Sequence, residues 1–149
     1  EKKPVNIITN SVLLALELMQ AEHVSIKIIG GDAAGNLSAT VGQEAVEQIA
    51  RCRADKAFIG VNGIDFTEGI TGIGYPQMEI KQAMIKSAKE TYVLADSSKF
   101  GHIYLSHICN IDQVTAVLTD GNLAAAFQED ARAHGFPVIW QTEAEKNEE

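Results

Sequence analysis

Residues 91–101 read TYVLADSSKFG, and this segment decides the fold. Its first five residues form a short, largely apolar and β-branched run, which predicts a buried strand. The six residues that follow supply a carboxylate, two hydroxyls, an ammonium group and a glycine, a composition typical of a turn. Open parallel sheets bind ligands at the carboxyl ends of their strands. The segment therefore predicts a buried strand followed by a turn that is a candidate for ligand binding.

Strands and helices alternate along the rest of the chain. Strands are predicted at residues 5–9, 25–29, 56–61, 116–119 and 137–140. Helices are predicted at residues 11–19, 43–51, 76–89 and 122–134, with Gly135 ending the last one. Apolar strands that alternate with helices indicate a parallel sheet covered on both faces. We therefore predict an α/β fold, an open, mostly parallel Rossmann-like sheet with helices on both faces.

Composition narrows the classes of function. The chain has 149 residues, 46% of them apolar and 21% charged, which is typical of one globular domain. No apolar run of membrane-spanning length occurs, so no membrane partner is expected. A net charge of -8 argues against nucleic-acid binding by this chain alone, because such affinity depends on neutralising phosphates. The two cysteines, Cys52 and Cys109, are too few for a disulfide framework, which favours a reduced, cytoplasmic location.

Two polar or glycine-rich segments follow the first two predicted strands. Thr9, Asn10 and Ser11 open a helix, where hydroxyls and backbone N–H groups form either an ordinary N-cap or an anion site. Gly30 and Gly31 follow the next strand and allow close approach to the backbone. They match neither the dinucleotide fingerprint nor the P-loop, so a plain turn is the alternative.

Two more candidates follow the later strands. Asp65 either binds a ligand hydroxyl or accepts hydrogen bonds from its own turn. Glycines 69, 72 and 74 predict a pliable loop after it. Lys99 suits a phosphate or another anion, because its ammonium group is a compact point charge. The neighbouring Asp96 is interpreted either as part of the same site or as a cap for its turn.

The remaining candidates for catalysis and metal binding are weak. The four histidines lack the spacing of metal ligands, and no Gly-x-Ser-x-Gly motif is present. We therefore predict neither a metal site nor a cofactor nor a catalytic residue.

The ordered set of strand-end segments resembles the C-terminal effector domain of DeoR-family bacterial transcriptional regulators. The resemblance runs from about Val5 to Pro137, and LADSSKFG at residues 94–101 is its most specific element. The other matching segments are Thr9-Asn10-Ser11, Gly30-Gly31, ADKAFIGVNGI at residues 54–64, GIT at 69–71, EIKQAM at 79–84 and LTD at 118–120.

The resemblance implies a sensor without catalysis. Members of this family join a helix-turn-helix DNA reader to a domain whose fold is similar to those of ribose-5-phosphate isomerase, glucosamine-6-phosphate deaminase and CoA-transferases. That domain binds a phosphorylated sugar, which modulates the hold on operator DNA, and it is expected to form homo-oligomers. The implied ligand-binding residues are Thr9, Asn10, Ser11, Gly30, Gly31, Asp65, Glu79, Lys81 and Lys99.

The domain organisation and two alternatives follow from the same comparison. We expect an effector-binding domain at residues 1–140, cut on its N-terminal side, and an acidic tail at 141–149. We expect the helix-turn-helix domain to lie outside this sequence, with operator DNA as a partner only through that domain. A sugar-phosphate isomerase or deaminase on the same fold is the main alternative. A pure oligomerisation module is the third hypothesis.

Overall fold

The structure, a computed structural model, describes residues 3–140. The chain divides into two compact units, residues 1–52 and 53–149. The acidic tail predicted at residues 141–149 lies outside the described residues. Within residues 3–140, no helix combines the length and the apolar character needed to span a bilayer.

The first unit combines a parallel strand pair with a short hairpin. Strands β1 and β2 pair in parallel, with Val5 opposite Val24 and Thr9 opposite Ile28. Strands β3 and β4 form an antiparallel hairpin around a 3-10 turn at Gly35–Leu37. The elements in chain order are β1 (Val5–Thr9), α1 (Val12–Leu18), β2 (Val24–Ile28), β3 (Asp32–Ala34), β4 (Ala39–Val41) and α2 (Gln43–Ala50).

The second unit holds a four-stranded parallel sheet and a smaller antiparallel sheet. The parallel sheet has the strand order β11-β10-β8-β5, and the antiparallel sheet has the order β6-β7-β9. The elements are β5 (Ala54–Gly60), β6 (Gly63–Asp65), β7 (Gly69–Gly72), α3 (Tyr75–Ser87), β8 (Ala88–Leu94), β9 (Ser106–Cys109), β10 (Ala116–Thr119), α4 (Ala125–Ala133) and β11 (Val138–Trp140).

Aliphatic side chains of the parallel sheet form the centre of the core. Ile59, Val93 and Val117 are buried on neighbouring strands, and Ala131 of α4 packs into the same cluster. Burying a side chain of this size contributes about 1.5–3 kcal/mol. The core therefore fixes the sheet rigidly, and the turns at its carboxyl edge have a firm base.

The predicted fold class is confirmed, because α-helices alternate with strands and the four-stranded sheet is wholly parallel. The end of α4 is also as predicted, since Gly135 follows it with φ +61°. Two helix boundaries were wrong. The helix predicted at residues 122–134 begins only at Ala125. The helix predicted at residues 76–89 ends at Ser87, and Lys89 belongs to β8, where its ammonium group pairs with Asp55 of β5 at 2.7 Å.

The antiparallel sheet was not predicted, and the pliable loop proposed for Gly69 and Gly72 is wrong. Those residues bound β7, all four residues of which are buried. The closely spaced glycines prevented the prediction of β7, because glycine is normally depleted in strands. Ile70 of β7 is fully buried and packs in the same core cluster as Ile64 of β6.

Candidate functional site

The carboxyl edge of the parallel sheet brings two acidic turns side by side. Asp96 follows β8 and Asp120 follows β10, and the Ala95 N–H donates to the Leu118 carbonyl at 3.1 Å to align them. The backbone N–H and the hydroxyl of Ser97 both lie 3.4 Å from Oδ2 of Asp120. The two turns are therefore one continuous polar surface.

Both carboxylates of this surface are held in the charged form. Asp96 accepts a short hydrogen bond from the Ser98 hydroxyl and a second from the Ser98 N–H at 2.9 Å. These bonds lower the pKa of Asp96 below its ordinary value of 3.8. The Asn122 N–H donates to Asp120 at 3.1 Å and lowers the pKa of Asp120 in the same way. The cap interpretation of Asp96 is confirmed, and its part in a ligand site stays a prediction.

Lys99 lies on the same surface and is only loosely held. Its Nζ atom is 3.6 Å from Oδ2 of Asp96, and both side chains are partly exposed. An exposed ion pair at this separation contributes little to stability. The ammonium group is therefore available to another anion, although it stands beside the Asp96 carboxylate.

Asp65 lies beside this surface, because the residues that follow Lys99 run along β6. Phe100 forms an isolated parallel bridge with Ile64, and the Gly101 N–H donates to the Ile64 carbonyl at 2.8 Å. Oδ1 of Asp65 accepts hydrogen bonds from the N–H groups of Thr67 and Glu68, both at 2.8 Å. The turn interpretation of Asp65 is confirmed, and its ligand role stays a prediction.

Glu79 and Lys81 lie on α3, and both are half-buried. Burial lowers the pKa of Lys81 below its ordinary value of 10.5. Within residues 3–140, Lys81 has no carboxylate within ion-pair distance, so its charge is uncompensated. The structure does not link either residue to Lys99 by a hydrogen bond or an ion pair in that part of the chain.

Thr9, Asn10 and Ser11 form the N-terminal cap of α1 in the first unit. The Ser11 hydroxyl accepts from the Leu14 N–H at 3.2 Å, and the Thr9 hydroxyl accepts from the Ser11 N–H at 3.0 Å. Asn10 Nδ2 donates to the Thr40 carbonyl at 2.8 Å. The N-cap interpretation is therefore confirmed, while a role in anion binding stays a prediction.

Gly30 and Gly31 lie beside that cap. The Ile29 N–H donates to the Thr9 carbonyl at 2.9 Å, and the Gly30 N–H donates to Gln48 Oε1 at 3.0 Å. Gly31 has φ +130°, and an added Cβ would lie 2.5 Å from the Val41 carbonyl oxygen. Only glycine fits this position, and the requirement is structural.

Two threonines join the predicted segments, although neither was among the predicted site residues. The Thr40 hydroxyl donates to the Ile29 carbonyl at 2.7 Å, and the Thr40 N–H donates to the Asn10 carbonyl at 2.9 Å. In the second unit, the buried Thr71 hydroxyl accepts from the Tyr104 N–H at 3.0 Å. Threonine next to valine or isoleucine was the available signal for these short strands.

Comparison with known proteins identifies the family. The sequence profile described as the DeoR C terminal sensor domain matches residues 1–121. The chain belongs to this family. The resemblance drawn from the strand-end segments is thereby confirmed, and the chain is a sensor domain of the kind found in transcriptional regulators.

Several curated regulators are similar to this sensor domain. The uncharacterized HTH-type transcriptional regulator FruR of Bacillus subtilis (strain 168) is 35% identical over 118 residues, covering 79% of this chain and 47% of FruR. The HTH-type transcriptional repressor GlcR of the same strain is 32% identical over 114 residues, 76% and 44% of the two chains. The glycerol-3-phosphate regulon repressor of Escherichia coli (strain K12) is 28% identical over 116 residues, 78% and 46%. The sensor domain spans about half the length of the curated relatives it matches.

Proposed function

We propose that this sensor domain binds a phosphorylated sugar and thereby modulates DNA binding by a helix-turn-helix domain of the whole regulator. The carboxyl edge formed by the turns after β8 and β10 carries the proposal. It presents a partly exposed ammonium group, two ionised carboxylates and two serine hydroxyls on a rigid base. This set suits a ligand that has both hydroxyl groups and negative charge.

The charged residues of this edge are proposed to contact different groups of the ligand. Asp96 and Asp120 outnumber Lys99, so a phosphate placed here would face a net negative surface. Carboxylates are strong acceptors for sugar hydroxyls, and Lys99 donates to a hydroxyl or to an anionic oxygen. Lys81, half-buried without a carboxylate partner in the described residues, is the second proposed cationic contact.

The remaining proposed contacts keep spare hydrogen-bonding capacity. The Ser11 and Thr9 hydroxyls act as acceptors within the cap of α1, which leaves their O–H groups to donate. Asp65 uses one carboxylate oxygen in its turn, and Glu79 is half-buried on α3. Asn10, Gly30 and Gly31 shape the backbone beside that cap.

Catalysis is not part of the proposal. A general acid or base works best with a pKa near the operating pH, whereas the pKa of Asp96 is shifted downward, away from neutrality. The relatives are named as transcriptional regulators, and we infer the same non-enzymatic role in the cytoplasm for this chain. Turnover of pentose or hexose phosphates by the purified chain would contradict this inference.

Regulation follows from differential binding. The ligand shifts the equilibrium between two arrangements only by the difference in its affinity for them. We propose that the ligand favours one arrangement of the loops at residues 62–75 and 97–102, with the buried strand β7 (Gly69–Gly72) as a fixed part of the first loop. Operator palindromes require paired DNA readers, so we also propose that the regulator is a homo-oligomer.

The test is a thermal-unfolding screen of this chain against sugar phosphates, glycerol 3-phosphate, the corresponding free sugars and inorganic phosphate. A ligand that binds only the folded state stabilises it by about 2.7 kcal/mol at a hundredfold excess over its Kd. We expect a selective increase with one sugar phosphate, reduced by Lys99→Ala and by Lys81→Ala.

Lys86→Ala is the matched control, because Lys86 is exposed in the last turn of α3. It should leave the response intact. An equal loss in all three variants would indicate an effect of net charge and contradict the assigned contacts. The absence of any response across the panel would contradict the proposed ligand class.

A further inference from the structure

Five large apolar residues of the second unit are exposed on two short segments, residues 73–75 and 103–105. We name Ile73, Tyr75, Ile103, Tyr104 and Leu105 the apolar ridge. Leu105 is 97% exposed and Ile73 is 64% exposed. Gly72 of β7 pairs with Ser106 of β9 in antiparallel register, and Ile73 follows Gly72 whereas Leu105 precedes Ser106, so both adjoin the same end of the paired strands. The ridge is therefore built from two segments that meet at that strand pair.

The backbone of the second segment of the ridge is held in place at residues 101–104. The Tyr104 N–H donates to the Thr71 hydroxyl at 3.0 Å, and Gly101 is bonded to Ile64 at 2.8 Å. The His102 carbonyl lies so close to Gly63 that a Cβ there would be 2.2 Å from its oxygen. The apolar side chains are thus displayed by an ordered backbone, and a partner can bind them at little cost in ordering.

The area of the ridge is close to that needed for a protein interface. The exposed fractions of the five residues correspond to roughly 600 Å², taking about 200 Å² for each residue, the middle of the range for aromatic side chains. A standard interface buries about 800 Å² on each partner. The ridge, together with a narrow polar rim around it, would bury about the area of a standard interface on each partner.

The charge of the chain favours a second copy as the occupant. Residues 72–76 and 101–106 contain no Asp, Glu, Lys or Arg, although the chain has a net charge of -8. Two copies repel at long range, so they can make contact most readily where neither carries charge. The ridge has no charged group with which to recognise an acidic or a basic partner.

We propose that the apolar ridge is the contact between two copies of this chain, related by a two-fold axis. The proposal rests on the proposed function for its symmetry, since paired DNA readers require paired sensor domains. It goes further in assigning the surface. In such an interface the same ridge residues face each other, so one substitution acts twice.

The test combines sedimentation equilibrium with amide hydrogen exchange on the 149-residue chain. We expect a dimer at micromolar concentration, with exchange at residues 101–106 slowing as the concentration rises. Leu105→Asp should weaken dimerisation at least about a hundredfold, because each of two leucines loses more than a tenfold contribution. Ile73→Asp, on the other segment of the ridge, should weaken it as well.

Leu13→Asp is the matched control, because Leu13 is 63% exposed on α1 outside the ridge. It should leave the dimer intact. Added salt should strengthen the dimer by screening the repulsion between acidic copies. A wild-type chain that stays monomeric, or a dimer that survives both ridge variants, would overturn the assignment.

The sugar-phosphate screen separates this proposal from the proposed function. Leu105→Asp should keep the thermal response to ligand while losing the dimer. Loss of the ligand response in wild type with the dimer retained would contradict the function alone. A monomeric wild type that still responds to ligand would contradict only the interface.

Discussion

Gly63→Ala perturbs the contact between β6 and the segment that carries both Lys99 and the apolar ridge. An added Cβ at residue 63 would lie 2.2 Å from the His102 carbonyl oxygen and 2.7 Å from the Thr71 hydroxyl. Ordinary van der Waals contact begins near 3.4 Å, so the backbone at residue 102 must retreat. The hydrogen bond from Tyr104 to Thr71 lies in the path of that movement.

The expected cost combines three terms. Overpacking of this kind costs about 1–3 kcal/mol. Loss of the Tyr104 hydrogen bond adds about 1 kcal/mol. The lower entropy of alanine in the unfolded chain returns about 0.4–1 kcal/mol. The net destabilisation is about 2 kcal/mol, equivalent to a decrease in Tm of about 4–8 °C for a chain of this size.

Urea unfolding followed by circular dichroism measures this cost, and Gly60→Ala provides the control. A Cβ at Gly60 meets no atom within 4 Å, so that variant should match or slightly exceed wild-type stability. Amide exchange at Gly101 and Tyr104 should accelerate in Gly63→Ala alone. Equal stability of the two variants, with unchanged exchange at those amides, would refute the close contact.

Three further predictions concern stability. Ser11→Ala should cost about 1 kcal/mol in urea unfolding by removing the cap of α1, whereas Ser25→Ala, at an exposed strand position, should be neutral. Ile70→Ala should cost about 2–5 kcal/mol because Ile70 is fully buried, and a cost below about 1 kcal/mol would contradict its place in the core. Asp96 and Asp120 have lowered pKa values, so their stabilisation is present above the ordinary pKa of 3.8 and is lost as the pH falls through their folded values. Carboxyl carbon NMR should show both titrating below 3.8, and Asp120→Asn should flatten the acid dependence of unfolding.

The parallel sheet could be predicted because its strands are apolar and separated by helices. Residues 116–119 were predicted as a strand with the bounds observed for β10. The short antiparallel strands were missed because three or four residues give too little periodicity to detect. In β7 the flanking glycines added to the difficulty, since burial and pairing with β9 determine that strand and its own propensity does not.

The site residues could be predicted only as positions at strand ends. Sequence alone left Asp65, Asp96 and Ser11 open between local hydrogen bonding and ligand binding, and the structure shows the local bonds for each. Asp120 could be recognised as part of the site only from the structure, because the pairing of β8 with β10 brings it beside the turn that holds Asp96. Such contacts join residues far apart in sequence, and a single sequence carries no record of them.

Thr71 is hydrogen-bonded both to the turn after β5, at Asn62, and to Tyr104 of the apolar ridge, which lies more than thirty residues further along the chain. Its carbonyl accepts from the Asn62 N–H at 3.2 Å, and its hydroxyl accepts from the Tyr104 N–H at 3.0 Å. The turn after β5 and the apolar ridge are therefore coupled through hydrogen bonds to Thr71. Asn62 also accepts directly from the N–H of the ridge residue Ile73 at 3.3 Å, so a displacement of the turn reaches the ridge by both contacts, and the chemical shifts of Asn62 and Tyr104 should respond together when either is perturbed.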